Sequence, residues 1–209
     1  MIFYDCPTAP SPRRARMLIA EKQVDVETRQ LDLRAGEHLQ PEFLAINPRG
    51  TVPVLVTDAG TTLTENLGIA AFLEAAFTDI PMMGRTPDET GEIWMWTMIC
   101  EQQGGLPMSE ALRNASPALK NRALPGPVPY AQIPELAERG RARLSAFFDL
   151  LEDRLAGRNW LAGGSFSLAD LTGYVFVDYS RVVKMGLPDT HKSAQAWFDR
   201  VASRPSAQL

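Results

Sequence analysis

Residues 47–66 read Asn-Pro-Arg-Gly-Thr-Val-Pro-Val-Leu-Val-Thr-Asp-Ala-Gly-Thr-Thr-Leu-Thr-Glu-Asn. Asn47-Pro48-Arg49-Gly50 stops whatever precedes it. Val52 to Val56 has the composition of a strand, Asp58-Ala59-Gly60 that of a turn, and Thr61 to Thr64 that of a second strand, so the stretch predicts a hairpin. Just upstream, Pro41 to Ile46 is a short helical segment; just downstream, Ile69, Phe72, Leu73 and Ala76 mark one face of a longer helix.

Working back to the start, Ile2 to Asp5 is a short apolar run bounded by Cys6-Pro7. Pro7, Pro10 and Pro12 stiffen the loop that follows. Ser11 is expected to be an N-cap with Pro12 at the first helical position, where the missing N–H costs nothing. Ala15, Leu18 and Ile19 give that helix a buried face, and Val24, Val26 and Thr28 alternate as in a strand. With a right-handed parallel crossover, residues 1–80 form an α/β unit in the order βαβ, helix, ββ, helix, the order of a thioredoxin-like sheet.

Residues 81–86 read as a linker, and 87–209 carry helix signals alone. Thr86-Pro87-Asp88-Glu89 and Ser167-Leu168-Ala169-Asp170 both have capping-box spacing. Leu144, Phe147, Phe148, Leu151 and Leu155 form the clearest amphipathic stripe, ended by Gly157. Trp197, Phe198 and Val201 lie on a last helix stopped near Pro205. The fold class is therefore an α/β domain followed by an all-α helical bundle.

The totals narrow the function classes. A chain of 209 residues, 45% hydrophobic with net charge −4, can bury a sizeable core. It lacks the basic stripe of a nucleic-acid binder. The clusters Arg13, Arg14, Arg16 and Arg139, Arg141, Arg143 read as solvated helix faces. No apolar run reaches the roughly 18 residues a bilayer span needs, and no secretory signal opens the chain. Two cysteines make no disulfide framework, and two histidines without a Cys/His cluster give no zinc spacing. A cytoplasmic protein without metal or membrane partner is the expectation.

Asn47 to Leu55 followed by Leu63-Thr64-Glu65-Asn66 resembles the glutathione-site core of the glutathione transferase superfamily, in its theta- and beta-like cytosolic branch. Phe166 to Asp170 is similar to the helix start of that family's helical domain, and Ala196 to Pro205 to its last helix. The resemblance implies a cis Val52-Pro53 bond, with the Val52 backbone pairing glutathione's cysteinyl backbone like an added strand. It implies a γ-glutamyl site at Glu65 and Asn66, where helix N–H groups and the helix dipole favour a carboxylate and Glu65 faces the ammonium. His38 resembles, by position, a histidine on the glycine carboxylate, against the alternative of a solvated surface residue. Glutathione is the implied cosubstrate, a small apolar electrophile the implied substrate, a homodimer the implied assembly, and detoxification the implied role.

The thiol must be held as a thiolate, since its free pKa is about 8.5. The family places a Ser, Tyr or Cys in the loop after the first strand, and counting back from Arg13-Arg14 that position is Ala9, which has no hydroxyl. Ser11 is the first replacement. Cys6, in Cys6-Pro7-Thr8-Ala9, is the second and would turn the chemistry to thiol–disulfide exchange; Thr8 is the third. Trp96, Met108, Phe176 and Tyr179 are candidates for the electrophile's surroundings, with core packing as the commoner role for each. A catalytically quiet glutathione-binding or protein-interaction member is the remaining alternative.

Overall fold

The computed structural model describes residues 1–209. The chain divides into two compact units: Met1–Ile80 with Leu124–Pro129 and Leu209, and Pro81–Ala123 with Tyr130–Gln208. The first unit runs β1 (Ile2–Asp5), α1 (Pro10–Glu21), β2 (Glu27–Gln30), α2 (Pro41–Leu44), β3 (Val54–Val56), β4 (Thr62–Leu63) and α3 (Asn66–Ala76). The sheet order is β2-β1-β3-β4, with β1 parallel to β2 and antiparallel to β3, and β3 antiparallel to β4. This is the expected mixed sheet of thioredoxin-like order.

Alternation along the strands sorts the core into two faces. Tyr4 and Val54 pack with Phe43 of α2, the Tyr4 and Phe43 rings meeting edge-on at 5.6 Å. Phe3 and Leu55, paired across β1 and β3 and both buried, turn to the opposite face, the side of α1 and α3.

Two expectations shift. β2 begins at Glu27, beyond Val24 and Val26, because Gln23 takes a positive φ of 56° and the Val24 N–H bonds back to Ile19, so the chain is still leaving α1. The half-buried valines line the approach to the strand, not the strand itself. The helix α1 starts at Pro10 with Ala9 as its N-cap residue, so Ser11 is not the cap.

The second unit is helical: α4 (Pro87–Ile99), α5 (Leu106–Arg113), α6 (Pro134–Leu155), α7 (Leu168–Tyr179) and α8 (Lys192–Ala202). α4 and α5 are joined by a wide π-helical turn over Cys100–Gly105. Its glycines are there for packing: a Cβ on Gly104 would stand 2.6 Å from the Phe147 ring, and one on Gly105 2.4 Å from the Phe176 ring. The predicted stripe of α6 is fully buried, and α7 is buried through its first ten residues. Trp197 of α8 is completely enclosed. No helix is long and apolar enough to cross a membrane.

The capping box at Ser167 and Asp170 is complete. That at Thr86 is half formed: the Thr86 hydroxyl accepts from the Glu89 N–H at 3.2 Å, but the Glu89 carboxylate accepts from Arg85, one residue too early to be reciprocal. The first arginine cluster is less solvated than its composition suggests: Arg14 is buried and Arg16 donates to the buried Asp5 at 2.6 Å. In the second, Arg139 and Arg141 are exposed, Arg139 pairing with Glu110 and Arg141 donating to the Val183 carbonyl.

Candidate functional site

Sheet register brings three segments to one end of the first unit. Tyr4 pairs with Val54, so the loop leaving β1 lies beside the residues entering β3. Leu55 pairs with Leu63, and continuing that antiparallel register sets Glu65 opposite Pro53. The start of α1, the Val52-Pro53 peptide and the start of α3 therefore converge.

At α1, proline chemistry decides which donors remain. The Ala9 N–H is bonded to the Cys6 carbonyl at 3.2 Å, and Pro10 and Pro12 have no N–H. Ser11 is the one residue of the opening turn that keeps a backbone N–H for a ligand. Its hydroxyl oxygen accepts from Arg14 Nη2 at 3.4 Å, which leaves the hydroxyl proton to donate. Ser11 was expected to cap the helix; with two of the first three residues lacking N–H groups, there is little left to cap. Arg14 and the helix dipole together make the spot favourable to an anion.

Cys6 is buried at 3% exposure, with its Sγ 3.5 Å from the hydroxyl of the exposed Thr8 and its N–H on Asp5 Oδ1 at 2.8 Å. It directly follows β1 as a core residue at the start of the loop, turned away from solvent.

The Val52-Pro53 bond is cis, and β3 begins only at Val54. Neither backbone polar group of Val52 pairs within the chain. The loop that carries it is held by Asn47, 1% exposed. Asn47 Nδ2 donates to the Thr51 carbonyl at 2.8 Å and to its hydroxyl at 3.1 Å, and Asn47 Oδ1 accepts from the Arg49 N–H at 3.1 Å. Gly50 sits at φ +56°, where a Cβ would press on Leu39 at 3.0 Å and on the His38 carbonyl at 3.2 Å. That contact ties the loop to the turn Glu37–Leu39, in which His38 is buried, not solvated.

Glu65 is the N-cap residue of α3 without a side-chain cap bond, and Asn66 is its first helical residue. Neither is spent on capping. The Glu65 carboxylate is exposed and meets Arg49 Nη2 at 3.0 Å. Asn66 Oδ1 is buried with no hydrogen-bond partner, an acceptor looking for a donor. Asn47 and Arg49 were legible only as motif letters; their roles as clamp and counter-charge depend on contacts that spacing does not reveal.

Of the aromatic and methionine candidates in the second unit, Trp96, Met108 and Phe176 are buried, and only Tyr179 is half-buried. No group of three or more His, Cys, Asp or Glu side chains is placed to hold a metal ion.

The description "glutathione S-transferase, N-terminal domain" matches residues 8–76, and "glutathione S-transferase, C-terminal domain" matches residues 110–205. Glutathione S-transferase 2 of Saccharomyces cerevisiae is 35% identical over all of this chain and 88% of its own length. The crystal structure of Gtt2 from the same yeast superimposes with a TM-score of 0.89 at 35% identity, covering 100% of this chain and 99% of that one. The disulfide-bond oxidoreductase YfcG of Escherichia coli is 26% identical over 98% of this chain and 91% of its own. With cis-Pro53, the α3 N-terminus and the helical second unit all in their places, this chain belongs to the glutathione S-transferase family.

Proposed function

We propose that this protein transfers the thiolate of glutathione to a small electrophile. The observation that carries the reading is the opening turn of α1, where two prolines and a bonded Ala9 N–H leave Ser11 with both of its donors available and Arg14 behind it. A thiol of pKa about 8.5 needs such a place to ionise near neutral pH.

Glutathione fits the remaining groups. Its cysteinyl backbone would pair with the unpaired N–H and C=O of Val52, next to Pro53. Its γ-glutamyl carboxylate would take the α3 N-terminus at Asn66, and its ammonium would satisfy both the Glu65 carboxylate and the orphaned Asn66 Oδ1. His38 would serve the glycine carboxylate from its short turn. The protein then supplies proximity and thiolate stabilisation. The thiol gives its proton to solvent as the thiolate forms, and as the thiolate forms its C–S bond the leaving group departs with its electron pair. We place this activity in a reducing cytoplasm, in keeping with two free cysteines, and in a homodimer.

A second reading runs the chemistry through Cys6 as thiol–disulfide exchange; similarity to YfcG favours it, and the burial of Cys6 weighs against it. Turnover of a generic aryl halide with glutathione separates the two. Cys6→Ser is expected to leave conjugation intact. Ser11→Ala is expected to raise the pKa of bound glutathione and slow conjugation about 10- to 1000-fold, equivalent to ~1.4–4 kcal/mol of thiolate stabilisation; a smaller loss would assign the task to the Ser11 N–H, which alanine keeps. The reverse pattern, with Cys6→Ser inactive and Ser11→Ala silent, replaces the transferase reading with the oxidoreductase. Glutathione binding without turnover of either kind makes this a quiet, ligand-binding member.

A further inference from the structure

A cavity of about 190 Å³ opens at the C-terminal end of α7, between the chain that leaves that helix and α8. Its walls are mostly apolar: Val177 is buried, and Met185, Leu187 and Phe198 are half-buried around it. All of its lining lies in the second unit, and none of it belongs to the groups assigned to glutathione above. The charges along it cancel, because Arg181 is paired with Asp178 at 2.6 Å.

Hydrogen bonds and packing hold these walls in place. The fully buried Ser180 hydroxyl lies 2.7 Å from the Val177 carbonyl and 3.0 Å from that of Met185. The Met185 N–H returns to the Ser180 carbonyl at 3.2 Å. To close that turn Lys184 takes φ +59°, the left-handed region in which a Cβ crowds the following carbonyl. Met185 then packs on the buried apolar cluster of Met108, Ala111, Leu144 and Val183. On the other side, the Phe198 ring is tilted against Tyr174 at 4.9 Å. Gln195 Nε2 donates to the Leu187 carbonyl at 3.1 Å, which ties the loop to α8. Gln195 lines the cavity, and its Oε1 has no partner in the chain.

We propose that this cavity binds a small neutral aromatic compound, of one or two rings, that carries one N–H or O–H donor for Gln195 Oε1. An apolar cavity of ~150 Å³ is large enough for benzene, so the space here takes that ring and more. Walls already fixed by their own bonds lose little freedom when a ring enters. A neutral ligand is favoured over an ion because Asp178 and Arg181 are spent on each other, and no further charge in the lining offsets desolvation. A donor is favoured over an acceptor because the vacant polar atom is an amide oxygen. The site is separate from glutathione transfer and stands whether or not that reaction occurs.

The test uses indole and its isostere indene, in which a CH2 replaces the N–H. Calorimetry of the intact protein should show indole bound, and the readout is the ratio of indole to indene affinity. Gln195→Met keeps the length of the side chain and removes the acceptor, so the ratio should fall about 5- to 30-fold, the cost of a buried N–H left without a partner. Gln195→Glu also gives up the bond to Leu187 but keeps an acceptor, and should hold the ratio near that of the unmutated protein. A ratio that falls equally in both variants makes the Leu187 bond the cause and overturns the acceptor role, as does a ratio unchanged in Gln195→Met. Leu187→Trp adds bulk to the wall and should weaken both probes about 10-fold or more. A thermal melt checks the folding of each variant; should Gln195→Met fail it, Leu187→Trp decides alone. No indole binding by the unmutated protein, or binding of both probes that Leu187→Trp leaves unchanged, overturns the site.

Discussion

Asn47 concentrates three hydrogen bonds in a residue that solvent barely reaches, all of them spent on holding residues 49–51 ahead of Pro53. Asn47→Ala removes all three and leaves the Arg49 N–H and Thr51 carbonyl without their partner. A stability loss of about 2–4 kcal/mol is expected in urea unfolding, together with weaker glutathione binding; an unchanged unfolding midpoint would show that the loop holds itself. Glu65 is the opposite kind of residue, exposed and important for a ligand. Glu65→Ala should weaken glutathione binding by about 1.5–3 kcal/mol in calorimetry without altering stability. Arg49→Ala touches only an exposed ion pair, worth about 0–1 kcal/mol, so its effect on affinity should be the smaller of the two. The residues that meet glutathione in this reading, Val52, Pro53, Glu65 and Asn66, are named through the resemblance of Asn47 to Asn66 to the family's glutathione-site core; the strand and helix start that carry them follow from local chain chemistry. The role of Ser11 does not. Two prolines look like a helix start at the second of them, and only the backbone shows that the helix begins at the first.

At the scale of elements, α7 shows what a capping motif becomes once it is buried. Asp170 accepts from the Ser167 N–H and hydroxyl, the Leu161 N–H at 2.7 Å and Trp197 Nε1 at 2.9 Å. Burial nonetheless pushes its pKa up, from 3.8 to about 6, against the pull of those four donors. A raised folded-state pKa means the folded chain holds this proton more tightly than the unfolded one. Its contribution to stability is therefore fully present below pH ~4 and lost as pH rises through about 6, a swing on the order of 3 kcal/mol. Asp170→Asn cannot titrate, so the stability advantage of the unmutated protein over it should narrow between pH 4 and 7. An advantage that instead widens would mean the four donors keep Asp170 ionised throughout. Ser167 and Asp170 were legible because a box spans only three residues. Trp197, 27 positions away, was not, and Glu89 shows that the same spacing can satisfy a neighbouring N–H instead.

For the whole molecule, the sequence of breakers and periodicities was enough to recover an α/β unit followed by a helical one, since each helix there carries its own apolar stripe and its own stop. Assembly is a further expectation at this scale. Met95, Met98 and Leu106 stand exposed along α4 and the start of α5, apolar surface suited to burial against a second copy. Light scattering at micromolar concentration should give twice the monomer mass, and Met95→Lys combined with Met98→Lys should shift it toward the monomer. A monomer before mutation would refute the dimer outright.

The wide turn between α4 and α5 sets a rotational phase. An α-helix advances about 100° per residue, and a π turn takes up roughly one residue more per turn, so tightening Cys100–Gly105 to ordinary helix with every residue kept would swing all of α5 around its own axis by roughly 100°. Met108 would leave its apolar cluster and Arg113 would lose the carbonyl of Arg122, although neither residue had been altered. The stretch works as a spacer that absorbs one residue more than an ordinary helix would, and a single-codon deletion there that lets the turn tighten would leave α5 aimed much as it is.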